Sequence, residues 1–379
     1  MTALYFLLLT CAHHTRTARL PVVERHRFPW STGDWRGQLA HAVTDVDDLL
    51  ELVGLTRDAV DLGLDAEEAA RNFRLRVPRV FVQRMRRGDS SDPLLRQVLP
   101  TNGEMQPVPG FNVDPVGEAG GGSAGGVLHK YRGRALLVVT GACAVHCRYC
   151  FRRHYPYGNE TVQGQGLDQA IAALEADRSI SEVILSGGDP LSLADEPLNE
   201  LCDAIEAVSH VRRLRWHTRT PVVLPSRVDN GLLGVIAGRR KPLTIVVHAN
   251  HARELSEDVR IACNALAEAG VVLLNQSVLL AGVNDNVESL VALSERLFDC
   301  RVLPYYLHLL DKVASAAHFE VGEDEARNLM AEVGARLPGY LVPRLVREVE
   351  GARAKVVVGP DLLPAPCSRE GERGGARLI

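Results

Sequence analysis

Six apolar segments between residues 135 and 310 alternate with helical stretches, and this alternation restricts the possible folds more than any other feature. Amphipathic stretches such as LDQAIAALEAD and ESLVALSERLFD separate the apolar segments. Continuous apolar strands with amphipathic helices between them predict a parallel sheet that is covered by helices. Six strand–helix units rather than eight predict an α/β fold with a partial, open (β/α)6 TIM-like barrel. The predicted strands are residues 135–140, 182–188, 212–219, 243–250, 271–280 and 301–310.

Three cysteines follow the first predicted strand. Cys143, Cys147 and Cys150 form the spacing C-x3-C-x2-C, with no fourth cysteine nearby. Three thiolates can hold a [4Fe–4S] cluster whose fourth iron stays open to a small-molecule ligand. A zinc site completed by His146 or His154 is the alternative that these residues leave open.

Length, charge and cysteine content place the chain in a broad class. A chain of 379 residues can bury a large core. Its net charge of −4 and its 46% hydrophobic residues are ordinary for a soluble protein and favour neither nucleic acid nor a membrane as a partner. Eight cysteines in so long a chain do not form a small disulfide scaffold. Because a reduced cluster needs a reducing compartment, we expect a cytoplasmic protein.

The two ends of the chain differ from its middle. Residues 1–22 are expected to be a disordered extension or a misassigned start, because their apolar run is short and no basic residue precedes it. Residues 23–128 predict a helical N-terminal region followed by a linker rich in proline and glycine. Residues 129–320 contain the predicted barrel, and residues 321–379 form a C-terminal region.

Two further motifs close predicted strands. SGGDP, which begins at Ser186, ends the second strand, and its glycines allow the backbone to approach a ligand. His217 and Arg219 end the third strand, where a buried charge is costly without a partner. The sequence does not decide whether these two side chains contact a ligand or pair with other residues of the protein.

The cysteine loop, with Tyr149 before its last cysteine, resembles the radical S-adenosylmethionine (SAM) enzymes. Over about residues 100–360, seven motifs resemble the lysine 2,3-aminomutases of that superfamily, and they occur in the same order. Within this family, the Arg-Arg-His after Cys150, the Asn in VNDN and the short segment after Lys355 are most similar to the enzymes of elongation factor P β-lysylation. The motifs are CRYCFRR, SGGDPL, RTPVVLP, NQSVLLAGVNDN, PYYLHLLDKV, AAHF and GYLVPRLVREVEGARAK.

The resemblance implies a partial barrel of the radical SAM type and three cofactors. The cysteines would bind a [4Fe–4S] cluster. SAM would bind at the glycine-rich motif of Ser186, Gly187, Gly188 and Asp189, with His217 and Arg219 as further candidates. Pyridoxal 5′-phosphate (PLP) would bind covalently to Lys355 in the C-terminal region, near Lys130, Tyr131 and Arg134.

The resemblance also implies a substrate site. Arg152 would bind the carboxylate of L-lysine, for which a planar guanidinium is well suited. Asp311 and Glu348 would hold the ε-ammonium group, although the free-lysine enzymes have aspartate in place of Glu348. Clostridial-type enzymes also have a structural zinc, with a cysteine where this chain has Asn286, so we predict no such zinc here.

The implied activity is that of an isomerase, an L-lysine 2,3-aminomutase that moves the amino group of L-lysine from C2 to C3. The product would be (R)-β-lysine for the modification of elongation factor P, which links the chain to that factor and its ligase. Flavodoxin or ferredoxin would donate the electron. The alternatives are a free-lysine or a glutamate 2,3-aminomutase and, outside the enzymes, an iron–sulfur redox sensor. Asp311 with Glu348 favours a cationic side chain over glutamate, and a sensor would not need Lys355, Asp311 and Arg152 together.

Overall fold

The computed structural model describes residues 34–360, except 61, 119–125, 159–160 and 163–164. The expectation for residues 1–22 therefore lies outside the described residues, as does part of the linker. In the described ranges, no helix has both the length and the apolar character needed to cross a membrane. The described α-helices are α1 (Asp34–Ala40), α2 (Val46–Val53), α3 (Leu64–Asn72), α4 (Arg79–Val82), α5 (Pro93–Arg96), α6 (Gln165–Ala176), α7 (Asp195–Ala207), α8 (Thr220–Val223), α9 (Asn230–Ala237), α10 (Glu257–Glu268), α11 (Val287–Asp299) and α12 (Glu323–Arg336).

The described strands form one sheet in which the spatial order follows the chain order from β1 to β9. Strands β2 to β8 are parallel, and the short edge strands β1 and β9 are antiparallel to their neighbours. Since β1 and β9 lie at opposite edges, the sheet is an open barrel, as predicted. The strands are β1 (Val127–Tyr131), β2 (Arg134–Thr140), β3 (Glu182–Gly187), β4 (Arg213–Thr218), β5 (Leu243–Val247), β6 (Val272–Val278), β7 (Leu303–His308), β8 (Arg344–Arg347) and β9 (Val356–Val357).

The six predicted strands correspond to β2 through β7, and the structure adds a seventh parallel strand. Helix α12 connects β7 to this strand, β8, which pairs in parallel with β7. Its sequence is RLVR, in which two arginines flank two buried residues. Four residues with charged ends lack the long apolar run by which the other strands are recognised, so the sequence pattern did not predict β8.

The main core lies between the sheet and the helices that cover it. Leu137 of β2, Leu185 of β3, Trp216 of β4 and Ile245 of β5 are fully buried there. Side chains of α7, α9 and α10 complete this core, for example Leu198. Burial on both faces explains why the parallel strands have continuous apolar sequences.

The N-terminal helices have a second core that includes part of the cysteine loop. Leu49, Phe81 and Leu94 are fully buried in it and form one cluster with Ala144 and Val145, which lie between the first two cysteines. The helical N-terminal region therefore packs directly on the cysteine loop, which it supports from outside the barrel.

Candidate active site

A cavity of about 720 Å³ extends from the carboxyl ends of the parallel strands into the interior of the barrel. This volume is typical of small-molecule sites, and the position is the one at which barrels bind their substrates. The structure brings all sixteen predicted site residues to this cavity. They are Lys130, Tyr131, Arg134, Cys143, Cys147, Cys150, Arg152, Ser186, Gly187, Gly188, Asp189, His217, Arg219, Asp311, Glu348 and Lys355.

Hydrogen bonds from the N-terminal region fix the cysteine loop. The backbone N–H of His146 donates to the carbonyl of Arg76 at 2.9 Å, and that of Arg148 donates to the carbonyl of Gln97 at 2.9 Å. The buried Arg148 guanidinium also donates from Nε to Glu104 at 2.8 Å. His146, a candidate zinc ligand, stacks on Phe73 with 5.2 Å between ring centroids. The backbone around Cys147 is therefore held on both sides.

The three cysteines are free thiols at one end of the cavity. Burial raises the pKa of Cys143 well above its ordinary value and that of Cys150 to about 11. These two side chains become thiolates when a metal replaces the proton. In the described part of the chain, no three His, Cys, Asp or Glu side chains surround a single metal-ion position. A [4Fe–4S] cluster does not require such convergence, because each cysteine binds a different iron.

The glycine-rich motif after β3 packs against the cysteine loop. Gly187 has a φ of +106°, and a Cβ there would lie 2.8 Å from the carbonyl oxygen of Thr140. A Cβ on Gly188 would lie 2.4 Å from the carbonyl oxygen of Ala142. Both positions therefore require glycine because of close approach to the backbone that leads to the cysteines. The sequence interpretation had explained the two glycines by a ligand that comes close to the backbone. In the structure it is another segment of the chain that comes close.

Asp189 holds the next strand end. Its carboxylate accepts hydrogen bonds from the hydroxyl of Thr218 at 2.7 Å and from the backbone N–H groups of Arg219 and Thr220 at 2.8 and 3.0 Å. It also accepts one from the N–H of Leu191 at 3.0 Å. Asp189 thus aligns the end of β4 with the glycine-rich motif, which makes it a positioning residue.

Arg219 contacts a cysteine of the predicted cluster site. Its Nη1 lies 2.7 Å from Sγ of Cys147 and donates to the hydroxyl of Tyr149 at 2.7 Å. Its Nη2 donates to Gln97 at 2.7 Å and to Glu254 at 2.9 Å. The sequence left open whether Arg219 contacts a ligand site or pairs with other residues. In the structure its side chain does both.

Three histidines line the middle of the cavity at the ends of β4, β5 and β7: His217, His248 and His308. Burial lowers the pKa of His217 and His308 well below the ordinary value, and that of His248 to about 3. Among the described residues, the buried Nε2 atom of each has no hydrogen-bond partner. Unpaired buried nitrogens are costly, so these neutral rings are suited to hydrogen bonds with a polar ligand. His248 and His308 had not been identified from the sequence, although each lies at a strand end.

Glu348 is the centre of a charge cluster that lines the cavity beside strands β1 and β8. It follows β8 directly, and its carboxylate accepts from Lys355 Nζ at 2.6 Å. Lys130 Nζ lies 2.9 Å from the same carboxylate, and the Tyr131 hydroxyl donates to it. Burial alone raises the pKa of Glu348, but Lys355 and the other donors lower it to about 2. Arg134 stacks on the ring of Tyr131 at 4.7 Å.

Asp311 lies just beyond β7 in the same part of the cavity. Burial raises its pKa to about 7, an effect that the positive charge of Lys355 reduces and that of Glu348 increases. Within the described residues, no hydrogen bond or ion pair reaches its carboxylate. Asp311 is therefore an acidic group that faces the cavity and has an open position for a cation.

Arg152 pairs with an acidic residue that the sequence analysis missed. Its Nε and Nη2 donate to the two carboxylate oxygens of Glu118 at 2.7 and 3.1 Å, and its Nη1 donates to the hydroxyl of Ser186 at 3.1 Å. The edge of the guanidinium formed by Nη1 and Nη2 keeps further N–H groups for a ligand. Glu118 lies in the glycine-rich linker, where composition gave no signal of a partner for Arg152.

Asn286 caps a helix. Its side chain accepts a hydrogen bond from the backbone N–H of Ser289 at 2.9 Å, in the first turn of α11. This N-cap role accounts for asparagine at the position where the clostridial-type enzymes were expected to have a zinc-binding cysteine.

The middle of the chain matches a superfamily model. Residues 137–293 match the model of the radical SAM superfamily. The crystal structure of a radical SAM methyltransferase from Sphaerobacter thermophilus aligns with a TM-score of 0.43 and 19% sequence identity, over 56% of this chain and 66% of that one.

Curated relatives match over most of the chain. L-lysine 2,3-aminomutase from Escherichia coli (strain K12) is 47% identical, over 86% of this chain and 94% of that protein. The proteins of the same name from Buchnera aphidicola and Clostridium subterminale are 40% and 31% identical, over 86% of this chain and 95% and 78% of those proteins. The chain therefore belongs to the L-lysine 2,3-aminomutase family of radical SAM enzymes.

Proposed function

We propose that the chain converts L-lysine to (R)-β-lysine by moving the amino group from C2 to C3. Family membership implies a [4Fe–4S] cluster, SAM and PLP as cofactors. The observation that carries the choice of substrate is the open carboxylate of Asp311, which lies in the cavity near Lys355 and Glu348. An amino acid with a cationic side chain fits this position, because its ammonium group supplies the missing partner.

The residues present suit the three cofactors. Cys143, Cys147 and Cys150 would hold the cluster, and the neutral His217 and its neighbours supply unpaired ring nitrogens for the polar groups of SAM. Lys355 would bind PLP, with Arg134 as the cation for its phosphate. When bound, these groups together supply the radical that starts the reaction and the conjugated ring that stabilises it.

The chain's own side chains bind and orient the amino acid. Arg152, held by Glu118, presents its free edge to the substrate carboxylate. Asp311 and Glu348 receive the ε-ammonium group. For Glu348 this involves an exchange, because its present partner Lys355 must lose a proton and bind the cofactor instead. While Lys355 is its partner, the pKa of Glu348 is about 2 and its carboxylate is ionised, whereas Asp311 can hold a proton near neutral pH.

A glutamate 2,3-aminomutase is the alternative within the enzymes. Its substrate would place a second carboxylate beside Asp311 and Glu348, and like charges repel in a poorly solvated site. The charges of this end of the cavity therefore favour lysine.

The test is anaerobic incubation of the reconstituted protein with SAM, a chemical reductant, PLP and either L-lysine or L-glutamate. We expect β-lysine by mass spectrometry in the lysine reaction and no β-glutamate in the other. β-Glutamate as the main product would contradict the assignment of the substrate. A protein that consumes SAM but isomerises neither amino acid would contradict the assignment of the reaction.

We also propose that the β-lysine is used to modify elongation factor P. The support is the resemblance to the enzymes of that modification, which rests on the Arg-Arg-His after Cys150, the Asn in VNDN and the short segment after Lys355. Co-expression of the chain with elongation factor P and its ligase should add the mass of a β-lysyl group to the factor. A factor that stays unmodified while free β-lysine accumulates would contradict this use of the product.

A one-electron donor such as flavodoxin or ferredoxin would reduce the cluster. We place the reaction in the cytoplasm, because a reduced cluster requires a reducing compartment. Reduced flavodoxin or ferredoxin should replace the chemical reductant in the β-lysine assay. Activity that only the chemical reductant supports would argue against both carriers.

A further inference from the structure

Arg219 is a buried cation whose position is fixed by residues from three separate segments. Its side chain is 6% exposed, and Nη1 lies 2.7 Å from the Cys147 sulfur. Gln97 of the N-terminal region and Glu254, beyond β5, both accept hydrogen bonds from Nη2. The guanidinium would therefore stay in this position whether or not Cys147 holds iron.

A second layer of hydrogen bonds fixes these partners in turn. Asn250 donates from Nδ2 to Gln97 at 2.9 Å and to the hydroxyl of Tyr149 at 2.6 Å. Gln97 donates from Nε2 to Glu254 at 3.1 Å. Since Gln97 and Glu254 are fully buried, the network is shielded from water, and its electrostatic interactions are correspondingly strong.

Reduction adds one electron, and hence one negative charge, to a cluster without making or breaking a bond. Hydrogen bonds to the sulfurs and the net charge nearby set the reduction potential of such clusters. The guanidinium supplies both at Cys147. Glu254 partly offsets the positive charge, but it pairs with Nη2, whereas Nη1 contacts the sulfur.

We infer that Arg219 raises the reduction potential of the cluster through its hydrogen bond to Cys147, and that Gln97 of the N-terminal region keeps the guanidinium in place. Arg219 is then a positioning and tuning residue for electron entry. The external low-potential donor supplies the electron. With this contact, a larger fraction of the cluster is reduced at a given potential of the donor. The inference depends on membership of the radical SAM superfamily and not on the substrate.

The test is a redox titration of the reconstituted cluster, followed by electron paramagnetic resonance, without PLP or lysine. Arg219→Lys should shift the midpoint potential to a more negative value, because a lysine ammonium cannot contact Cys147, Gln97 and Glu254 together. Gln97→Leu should give a smaller shift in the same direction. Arg227→Lys is the matched control, since Arg227 is fully buried and paired with Asp195 at 2.8 Å but does not line the cavity.

A wild-type potential in Arg219→Lys, at full iron content, would overturn the inference, as would an equal shift in the Arg227→Lys control. If Arg219→Lys does not assemble the cluster, Gln97→Leu decides: a negative shift supports the inference and an unchanged potential overturns it. Because the titration contains no amino acid, these results are independent of the β-lysine assay. If the wild-type protein forms β-lysine and the Arg219→Lys variant keeps the wild-type potential, the inference about Arg219 is wrong but the proposed function is not.

Discussion

The two ends of the active-site cavity are built by different means. At the cysteine end, which comprises residues 143–150 and Arg219, backbone hydrogen bonds and a buried network hold each segment in place. At the lysine end, which comprises Lys130, Tyr131, Asp311, Glu348 and Lys355, three donors share Glu348, whereas the Asp311 carboxylate has no partner among the described residues.

This difference corresponds to the two tasks of the site. The cysteine end lies between the core strands and the N-terminal helices, so its geometry is set before any ligand binds. The lysine end is formed by the edge strands β1 and β9, by β8 next to β9 and by the segments beside them. In the proposed function its ion pairs would be exchanged when PLP and the substrate bind, because Lys355 now pairs with Glu348, which the substrate ammonium would also use. The cysteine end is thus preorganised, whereas side chains of the lysine end would change their partners.

The largest expected effect is at the cysteine end. Cys147→Ala should lose the cluster and all turnover, because two remaining thiolates cannot hold it, while the barrel core keeps the fold. Iron content, circular dichroism and β-lysine formation measure the three quantities. Cys202→Ala is the control, since Cys202 is a free, buried cysteine of α7 away from the cavity. Full iron content with normal turnover in Cys147→Ala would contradict the cluster assignment.

A smaller effect is expected for a single charge at the lysine end. Asp311→Asn should raise the KM for lysine roughly tenfold to a hundredfold, because loss of a charged partner of an ammonium costs about 1.5–3 kcal/mol. SAM cleavage in the presence of saturating lysine should change much less. Asp299→Asn, on the exposed end of α11, is the control. An unchanged KM in Asp311→Asn would place the ammonium elsewhere.

The pH dependence of lysine binding tests the same carboxylate without removing it. Burial raises the pKa of Asp311 from 3.8 to about 7, and only the ionised form attracts the ammonium. Lysine affinity should therefore increase with pH up to about 7, by at most about tenfold per pH unit, and level off above it. Because of the same raised pKa, the folded state binds more protons than the unfolded state between about pH 4 and pH 7. The contribution of Asp311 to the free energy of unfolding therefore decreases as the pH rises from about 4 to about 7. A profile of KM against pH that is identical in wild type and Asp311→Asn would contradict this role.

The smallest effect is expected where the two ends meet, at Arg152. Glu118→Gln leaves the fork of Arg152 less firmly oriented and should raise the KM for lysine about two- to tenfold, which corresponds to about 0.5–1.5 kcal/mol for one hydrogen bond. Glu350→Gln is the control, because Glu350 is an exposed carboxylate beside Gly117 that does not pair with Arg152. A lower KM in Glu118→Gln would mean that Glu118 competes with the substrate for the guanidinium instead of orienting it.

The sequence predicted the positions of the site residues better than their partners. Strands buried on both faces are recognisable as apolar runs, and parallel strands bring the residues at their ends together, so Ser186, His217 and Asp311 could be assigned to one site. The partner of each side chain depends on which distant segments meet in the fold. No local pattern predicts that Glu118 holds Arg152 or that Gln97 holds Arg219.

The same limit applies to the lysine end. The resemblance gave Glu348 and Lys355 separate roles, whereas in the structure they form one ion pair seven residues apart across the turn between β8 and β9. Strand β8 was too short to predict from the sequence. The position of Glu348, which follows it, therefore could not be predicted from the strand pattern either. Because of this pairing, Lys355 would have to leave Glu348 before it could bind the cofactor.

The most direct test of the account is to identify the lysine that binds PLP. Borohydride reduction of the PLP-loaded protein, followed by peptide mapping, should place the pyridoxyl label on Lys355. Lys355→Ala should lose the label and β-lysine formation while it keeps its iron and its SAM binding, because the cysteine end is built independently. A label on Lys130, Lys241 or Lys312 would contradict the assignment of the lysine end. A loaded protein in which no lysine takes the label would contradict the aminomutase function itself.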